Sequence, residues 1–264
     1  MMNKSNFFEN GWCQFKYDAI LANWVSQVLP YACEAIAAPE NSRWLRCGGT
    51  WHAGVHVLPN RTDGSVGAGA KLKAQAVGFI RQNLGLGVFE WDRAQVSVCY
   101  PGYPQPMDGE SETAFLYRRD RDAAHVDGLL PEGPNRRRHL REHHGFILGI
   151  PMVEYAIAAS PFVVWQGSHE IIRQTFVRAF EGLAANEWGE LDVTEVYHAA
   201  RRQIFQSCAR VEIEAKPGQA YLVHRLALHG MAPWQPGADA TENGRMVCYF
   251  RPEIGGPEAW LFNP

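Results

Sequence analysis

The stretch AAHVDGLL, residues 123–130, sets an imidazole and a carboxylate two positions apart in a run of small and apolar side chains. Residues i and i+2 of a strand point to the same side, so His125 and Asp127 are expected to present their side chains together. Such a pair supplies two of the three ligands that an open metal site needs. The alternative is a hydrogen-bonded surface pair, and only the rest of the chain can separate the two.

The surroundings of this stretch are β-like. From residue 93 onward, short runs follow one another: RAQVSVCY, TAFLY, AAHVDGLL, GFILGIPMVEYAIA, PFVVWQG, RVEIEA, QAYLVH, LALHG and RMVCYF. Turn signals such as PGYP, PEGP and KPGQ divide them. Many short strands with Gly/Pro turns predict a sandwich or jelly roll. Helical segments are expected to interrupt it near 168–182 and 193–209. The first 90 residues read as mostly helical, with helices at 17–37, where Pro30 predicts a break or kink, and at 70–84. The Gly-rich stretch 48–69 lacks the spacing and the Lys-Ser/Thr ending of a phosphate loop and reads as a loop. No repeat or linker divides the chain, so one domain over 1–264 is expected.

Composition bounds the function. The chain has 264 residues, 46% apolar and 20% charged, with a formal charge of −3. That balance predicts no general attraction to nucleic acid or to an anionic membrane. No apolar run is long enough to cross a bilayer, and the N-terminus has no signal-peptide core. A cytoplasmic location is expected. The six cysteines are scattered without a C-x-x-C pair and read as reduced thiols. Oligomeric state is not legible.

A third ligand should come from a distant strand facing the same cavity. His229, in YLVHRLALHGMAPW, ends a β-like run and is followed by Gly230, which permits close backbone approach; His224 is its rival. Two histidines and a carboxylate with open positions left over form the ligand set of non-haem Fe(II) oxygenases. If a 2-oxoglutarate cosubstrate chelates the iron, its far carboxylate needs a cation at fixed reach, and the planar fork of arginine suits it. NGRMVCYFRPE supplies Arg245 at the start of the next strand, with Arg251 as competitor on the same face.

The phrases H-V-D, WQGSHE at 165–170, GQAYLVHRLALHG and GRMVCYF together resemble the phytanoyl-CoA dioxygenase family of Fe(II)/2-oxoglutarate oxygenases over about residues 90–252. The resemblance implies a mainly β chain with flanking helices and a double-stranded β-helix (jelly roll, cupin-like) core at 91–252. It implies iron on His125, Asp127 and His229, 2-oxoglutarate on Arg245, O2 as oxidant and a small-molecule substrate. Related halogenases carry a small residue in place of the carboxylate ligand, so Asp127 favours hydroxylation. The chain departs from the family in the inserted QPGADATE loop, in Met231 where a hydroxyl residue is usual, and in Gln166 before G-S-H. Two other classes stay open: a cupin-like isomerase or hydrolase on another divalent metal, which needs no Arg245, and a small-molecule binder without catalysis.

Lesser candidates have blander readings. The run RRRHLREHH at 136–144 is expected to be a solvated face, with Arg136, Arg137 or Arg138 as possible anion contacts. His143 or His144, Gln95 and Tyr117 are low-grade candidates for the cavity wall. His169 reads as a turn residue, and the His52/His56 pair as packing.

Overall fold

A computed structural model describes residues 2–264. In chain order its strands are β1 (Trp12–Phe15), β2 (Leu45–Arg46), β3 (Trp51–His52), β4 (Gln95–Cys99), β5 (Leu129–Glu132), β6 (Arg137–Leu140), β7 (Ile147–Pro151), β8 (Phe162–Trp165), β9 (Arg210–Ile213), β10 (Ala220–Val223), β11 (His229–Met231) and β12 (Arg245–Phe250). The helices are α1 (Met2–Asn10), α2 (Ala19–Ala37), α3 (Gln75–Asn83), α4 (Glu112–Asp120), α5 (Ser168–Ala179), α6 (Thr194–Ser207) and α7 (Gly256–Phe262). No helix among the described residues is long and apolar enough to cross a membrane.

Alternation within the strands builds the layers. A major sheet runs β1-β10-β7-β12-β4-β3-β2, and a minor sheet runs β11-β8-β9. On the inner face of the major sheet, Ile147, Tyr221, Val223, Val247 and Tyr249 meet Phe162, Val164 and Ile213 of the minor sheet. Their sequence neighbours Leu148, Ile150, Leu222, Met246, Cys248 and Phe250 point the other way, onto α2 and α3. Val163 and Trp165 of β8 cover the outside of the minor sheet and pack on α5 and α6. The central strands are therefore buried on both faces, which is why β7 and β12 read as unbroken apolar runs. This is a jelly roll with helices on both outer surfaces.

Three sequence expectations change. The first 90 residues are not simply helical: β1, β2 and β3 all join the major sheet. β1 pairs with β10, while β2 and β3 extend the sheet beyond β4. TAFLY is part of α4, not a strand. Its flanks decide: Ser111 caps the helix by accepting from the Ala114 N–H at 3.3 Å, Glu112 lies in the first turn, and Arg118 and Arg119 lie in the last. Pro30 does not end α2, which continues to Ala37. Pro30 faces solvent, where water can satisfy the carbonyl that the proline leaves without a donor.

The helical layer hangs on one carboxylate. Asp18 caps α2, with Oδ1 accepting from Ile20 N–H at 2.9 Å, while Oδ2 accepts from Gln75 N–H at 2.8 Å at the start of α3. Each contact satisfies a donor that a helix start leaves free. An Asp18→Ala substitution is expected to cost about 2 kcal/mol, two caps' worth, and Asp18→Asn about half of that, since an amide keeps one acceptor oxygen. Urea melts of the three proteins check this; a loss in Asp18→Ala no larger than in Asp18→Asn would mean that only one cap matters.

Candidate metal centre

The backbone brings the two halves of the site together. His125 and His229 form an antiparallel bridge: the His125 N–H donates to the His229 carbonyl at 2.8 Å, and the His229 N–H returns the bond at 3.0 Å. AAHVDGLL is thus not a continuous strand. It touches the minor sheet only at His125, turns at Asp127 and Gly128, and becomes β5. Gly128 takes φ +88°, and a Cβ there would stand 2.3 Å from the Glu142 carbonyl oxygen, so the turn requires glycine. The Val126 N–H, between His125 and Asp127, donates to the Tyr197 hydroxyl at 3.0 Å.

The approach to His125 is built under strain. Asp122 and Ala123 both have left-handed backbones, at φ 54° and 52°, a conformation that costs a residue with a Cβ about 1–2 kcal/mol. A clamp holds the turn there. Asp122 accepts two hydrogen bonds from Arg210, at 2.7 and 3.0 Å, and its carbonyl accepts from the Met231 N–H at 2.8 Å. Gly230 lets the two segments meet: a Cβ on it would sit 2.1 Å from the Asp122 carbonyl oxygen.

His125, Asp127 and His229 offer one ligand atom each, all within 4.8 Å of one another. Asp127 Oδ1 lies 3.3 Å from His125 Nε2 and 3.8 Å from His229 Nε2. Both imidazoles have Nδ1 on a backbone carbonyl, Ala123 and Ala227 respectively, each at 2.9 Å. Those bonds place the N–H on Nδ1 and turn a bare Nε2 toward the other ligand atoms, as metal-binding histidines require. The His229 ring also stacks on Phe162 at 5.4 Å. Burial, with His125 close by, pushes His229 down to about 4, so its imidazole is neutral and available as a ligand at neutral pH. Burial alone would raise the Asp127 carboxyl, but Arg251 and the two histidines outweigh it and hold it well below the usual range. Three donors at about 2.1 Å from one metal, at right angles, stand about 3 Å apart. The donor set and its spacing fit a divalent ion of intermediate hardness, iron included.

Arg245, at the start of β12, and Arg251, just past its end, have different partners. Arg251 donates to Asp127 Oδ2 at 3.0 Å, leaving Oδ1 for the histidine side. Its own N–H donates to the Asp92 carboxylate, and its carbonyl accepts from His144 at 2.6 Å. Arg245 is completely buried and has no carboxylate within ion-pair distance among the described residues. Its guanidinium donates to the Tyr249 hydroxyl at 3.0 Å, approaches the Met231 sulfur at 3.6 Å and lies 5.5 Å from the centre of the Tyr155 ring. Arg245 Nε, the Tyr155 hydroxyl and the Ser160 hydroxyl are all buried without a partner. A buried charge with unmet donors around it is costly, and a carboxylate would satisfy it. Met231 and Tyr249 touch Arg245 and also line the cavity that holds the triad.

Other candidates fall elsewhere. His224 is buried against His169, and its ring meets Leu226 N–H and Arg173, so it is no rival to His229. Arg137 pairs with Asp192 and Glu195, and Arg141 with Glu132, so the basic run is a salt-bridged surface hairpin. His52 packs with Nδ1 at 3.4 Å from the Val96 carbonyl. Tyr117 donates to the Ala124 carbonyl at 2.7 Å, bracing the segment before His125. Gln95 lines the cavity. The sequence reading missed Asp122, Arg210, Tyr155, Ser160 and Phe162. A signal existed for Asp122 only, in the arginine-aspartate turn just before His125.

No family model and no curated protein matches the chain. Among solved structures it is similar to EctD from S. alaskensis with bound Fe, at 14% identity, covering 97% of this chain and 79% of that one, with a TM-score of 0.46. It is also similar to SnoK, a non-haem alpha-ketoglutarate-dependent carbocyclase from nogalamycin biosynthesis, at 13% identity over 97% and 85% of the two chains, TM-score 0.43. A third is SnoN, the epimerase of the same biosynthesis, at 11% identity over 94% and 80%, TM-score 0.42.

Gly230→Ala is expected to push β11 off the Asp122 turn at a cost of about 1–3 kcal/mol and to weaken metal binding more than Gly149→Ala, which crowds Tyr221 instead. Titration with Co(II), followed by its visible absorption, reads the difference. Equal affinities in the two variants would show that the close approach of β11 does not hold the ligands.

Proposed function

We propose that the protein is an Fe(II)- and 2-oxoglutarate-dependent dioxygenase that hydroxylates a small organic molecule, with succinate and CO2 as coproducts. The observation that carries this reading is Arg245: a buried guanidinium with no carboxylate partner and an unmet Nε, 5.5 Å from the Tyr155 ring and beside a cavity that contains a two-histidine, one-carboxylate cluster. Iron with 2-oxoglutarate supplies oxygen activation, which no side chain provides.

The chain's own residues do the rest. His125, Asp127 and His229 would hold the metal with three donors, a set that leaves positions for cosubstrate and O2. Arg251 holds Asp127 Oδ2, so the carboxylate offers one oxygen and blocks no further position. Arg245, with Tyr155, Ser160 and Tyr249, receives the far carboxylate of 2-oxoglutarate. The hydroxyl normally found two residues after the distal histidine is replaced here by Met231, and these tyrosine and serine hydroxyls take over its task. Met231 lies between the cavity and Arg245, and its flexible thioether can swing aside. Ile147 and Phe162 wall the cavity and keep water from the metal. An isomerase or hydrolase on the same jelly roll would have no use for Arg245.

Anaerobic addition of Fe(II) and then 2-oxoglutarate is expected to produce the weak visible charge-transfer band of the chelate. His229→Ala should abolish it. Arg245→Ala should raise the 2-oxoglutarate concentration needed by about 10- to 100-fold, the worth of a charge-assisted hydrogen-bonded pair, with Arg245→Lys between. Absence of a band in folded, iron-loaded protein would overturn the oxygenase reading.

A further inference from the structure

The register of the major sheet lines up four inward-facing residues. Arg245 of β12 pairs with Cys99 of β4, Cys99 with Trp51 of β3, and Trp51 with Arg46 of β2. Residues opposite each other in antiparallel strands share a face. One row therefore carries a guanidinium at its buried end and another at the open edge of the sheet. Arg46 and Trp51 line the same cavity as the triad, with Tyr103 edge-on to Trp51 at 6.3 Å.

Three arginines line this cavity, and two are already engaged. Arg118 is paired with Glu110 and donates to Cys47 Sγ and the Gln105 carbonyl. Arg251 is paired with Asp127. Arg46 has no carboxylate within ion-pair distance among the described residues; its guanidinium lies over the Trp44 ring at 5.2 Å, and Arg43 sits over the same ring at 5.5 Å. A divalent metal adds positive charge, and the charges of a 2-oxoglutarate are answered by that metal and by Arg245. The mouth is left with an unmatched cation. It disfavours an amine and attracts an anion.

Shape narrows the choice. The fork of a guanidinium can pair with a carboxylate or a phosphate, but one positive charge matches a singly charged carboxylate and leaves a phosphate dianion half neutralised. Ala53, Val55, Ile147 and Phe162 supply apolar wall. The cavity holds about 230 Å³, below the roughly 300–1,000 Å³ typical of drug-sized ligands, and the cosubstrate shares it.

We propose that the substrate is a small carboxylic acid, anchored by Arg46 at the mouth with its hydrocarbon body on Trp51 and a C–H toward the triad. This rests on the dioxygenase reading for the reaction but not for the binding.

The test is therefore run without turnover. Arg245→Ala protein, free of metal and of 2-oxoglutarate so that neither an ion nor the buried guanidinium offers a second carboxylate site, is titrated by calorimetry with pentanoate, hexanoate and cyclohexanecarboxylate, each beside its primary amide, and with pentylphosphonate. The acids are expected to bind about tenfold or more tighter than their amides and than the phosphonate. Arg46→Ala should abolish the acid preference, Arg46→Lys should reduce it, and Arg43→Ala, which removes a neighbouring charge outside the cavity, should leave it intact. Equal binding of acids and amides, a preference that survives Arg46→Ala, or a phosphonate that outbinds the acids would overturn the proposal. A missing charge-transfer band would reject the oxygenase reading while leaving this result interpretable.

Discussion

Two hydrogen bonds exchanged between the backbones of His125 and His229 fix the distance on which the whole site depends. A metal site of three side chains needs each to converge within a few tenths of an ångström. Side-chain packing alone rarely gives that. Here, the backbone does most of it: the bridge sets the two histidines opposite each other, and each ring is then fixed by a bond to a carbonyl two residues before it. Everything around the bridge serves to let the segments approach. Gly230 removes a side chain from the contact, and Arg210 grips Asp122 to hold a turn that would otherwise relax.

Arg245 opens β12 and Arg251 follows directly after it, and their surroundings separate their tasks. Arg251 has met its charge with Asp127. Such a pair is of uncertain net worth to folding, but it orients a ligand. Arg245 has not met its charge. The folded chain bears the cost of a desolvated cation with idle donors around it, a cost that a bound carboxylate removes. An unmet buried group of this kind needs an explanation, and the proposed cosubstrate carboxylate would be one.

Much of the architecture was legible because burial on both faces writes itself as unbroken apolar runs, as in GFILGIP and RMVCYF. The cluster of His125, Asp127 and His229 was legible from a two-residue spacing and from a histidine followed by glycine. Short strands at the sheet edge were not: β2 and β3 have two residues each, too few to show alternation. TAFLY misled because its composition is strand-like while its caps are helical, and the caps won. The surroundings of Arg245 could not be read at all. Tyr155, whose ring lies 5.5 Å from the guanidinium, is in an irregular segment whose path is set by tertiary packing.

The two histidines of the cluster differ in one respect that equilibrium affinity does not reveal. The His125 side chain is 48% exposed, and that of His229 only 5%. Water can compete for a metal on the first side and not on the second. An ion held here would meet water on the His125 side, while His229 and Asp127 are closed in by Phe162 and Arg251. The exposed imidazole is also the one carried on the strained turn at Asp122 and Ala123, so the solvent side of the cluster and its strained backbone coincide.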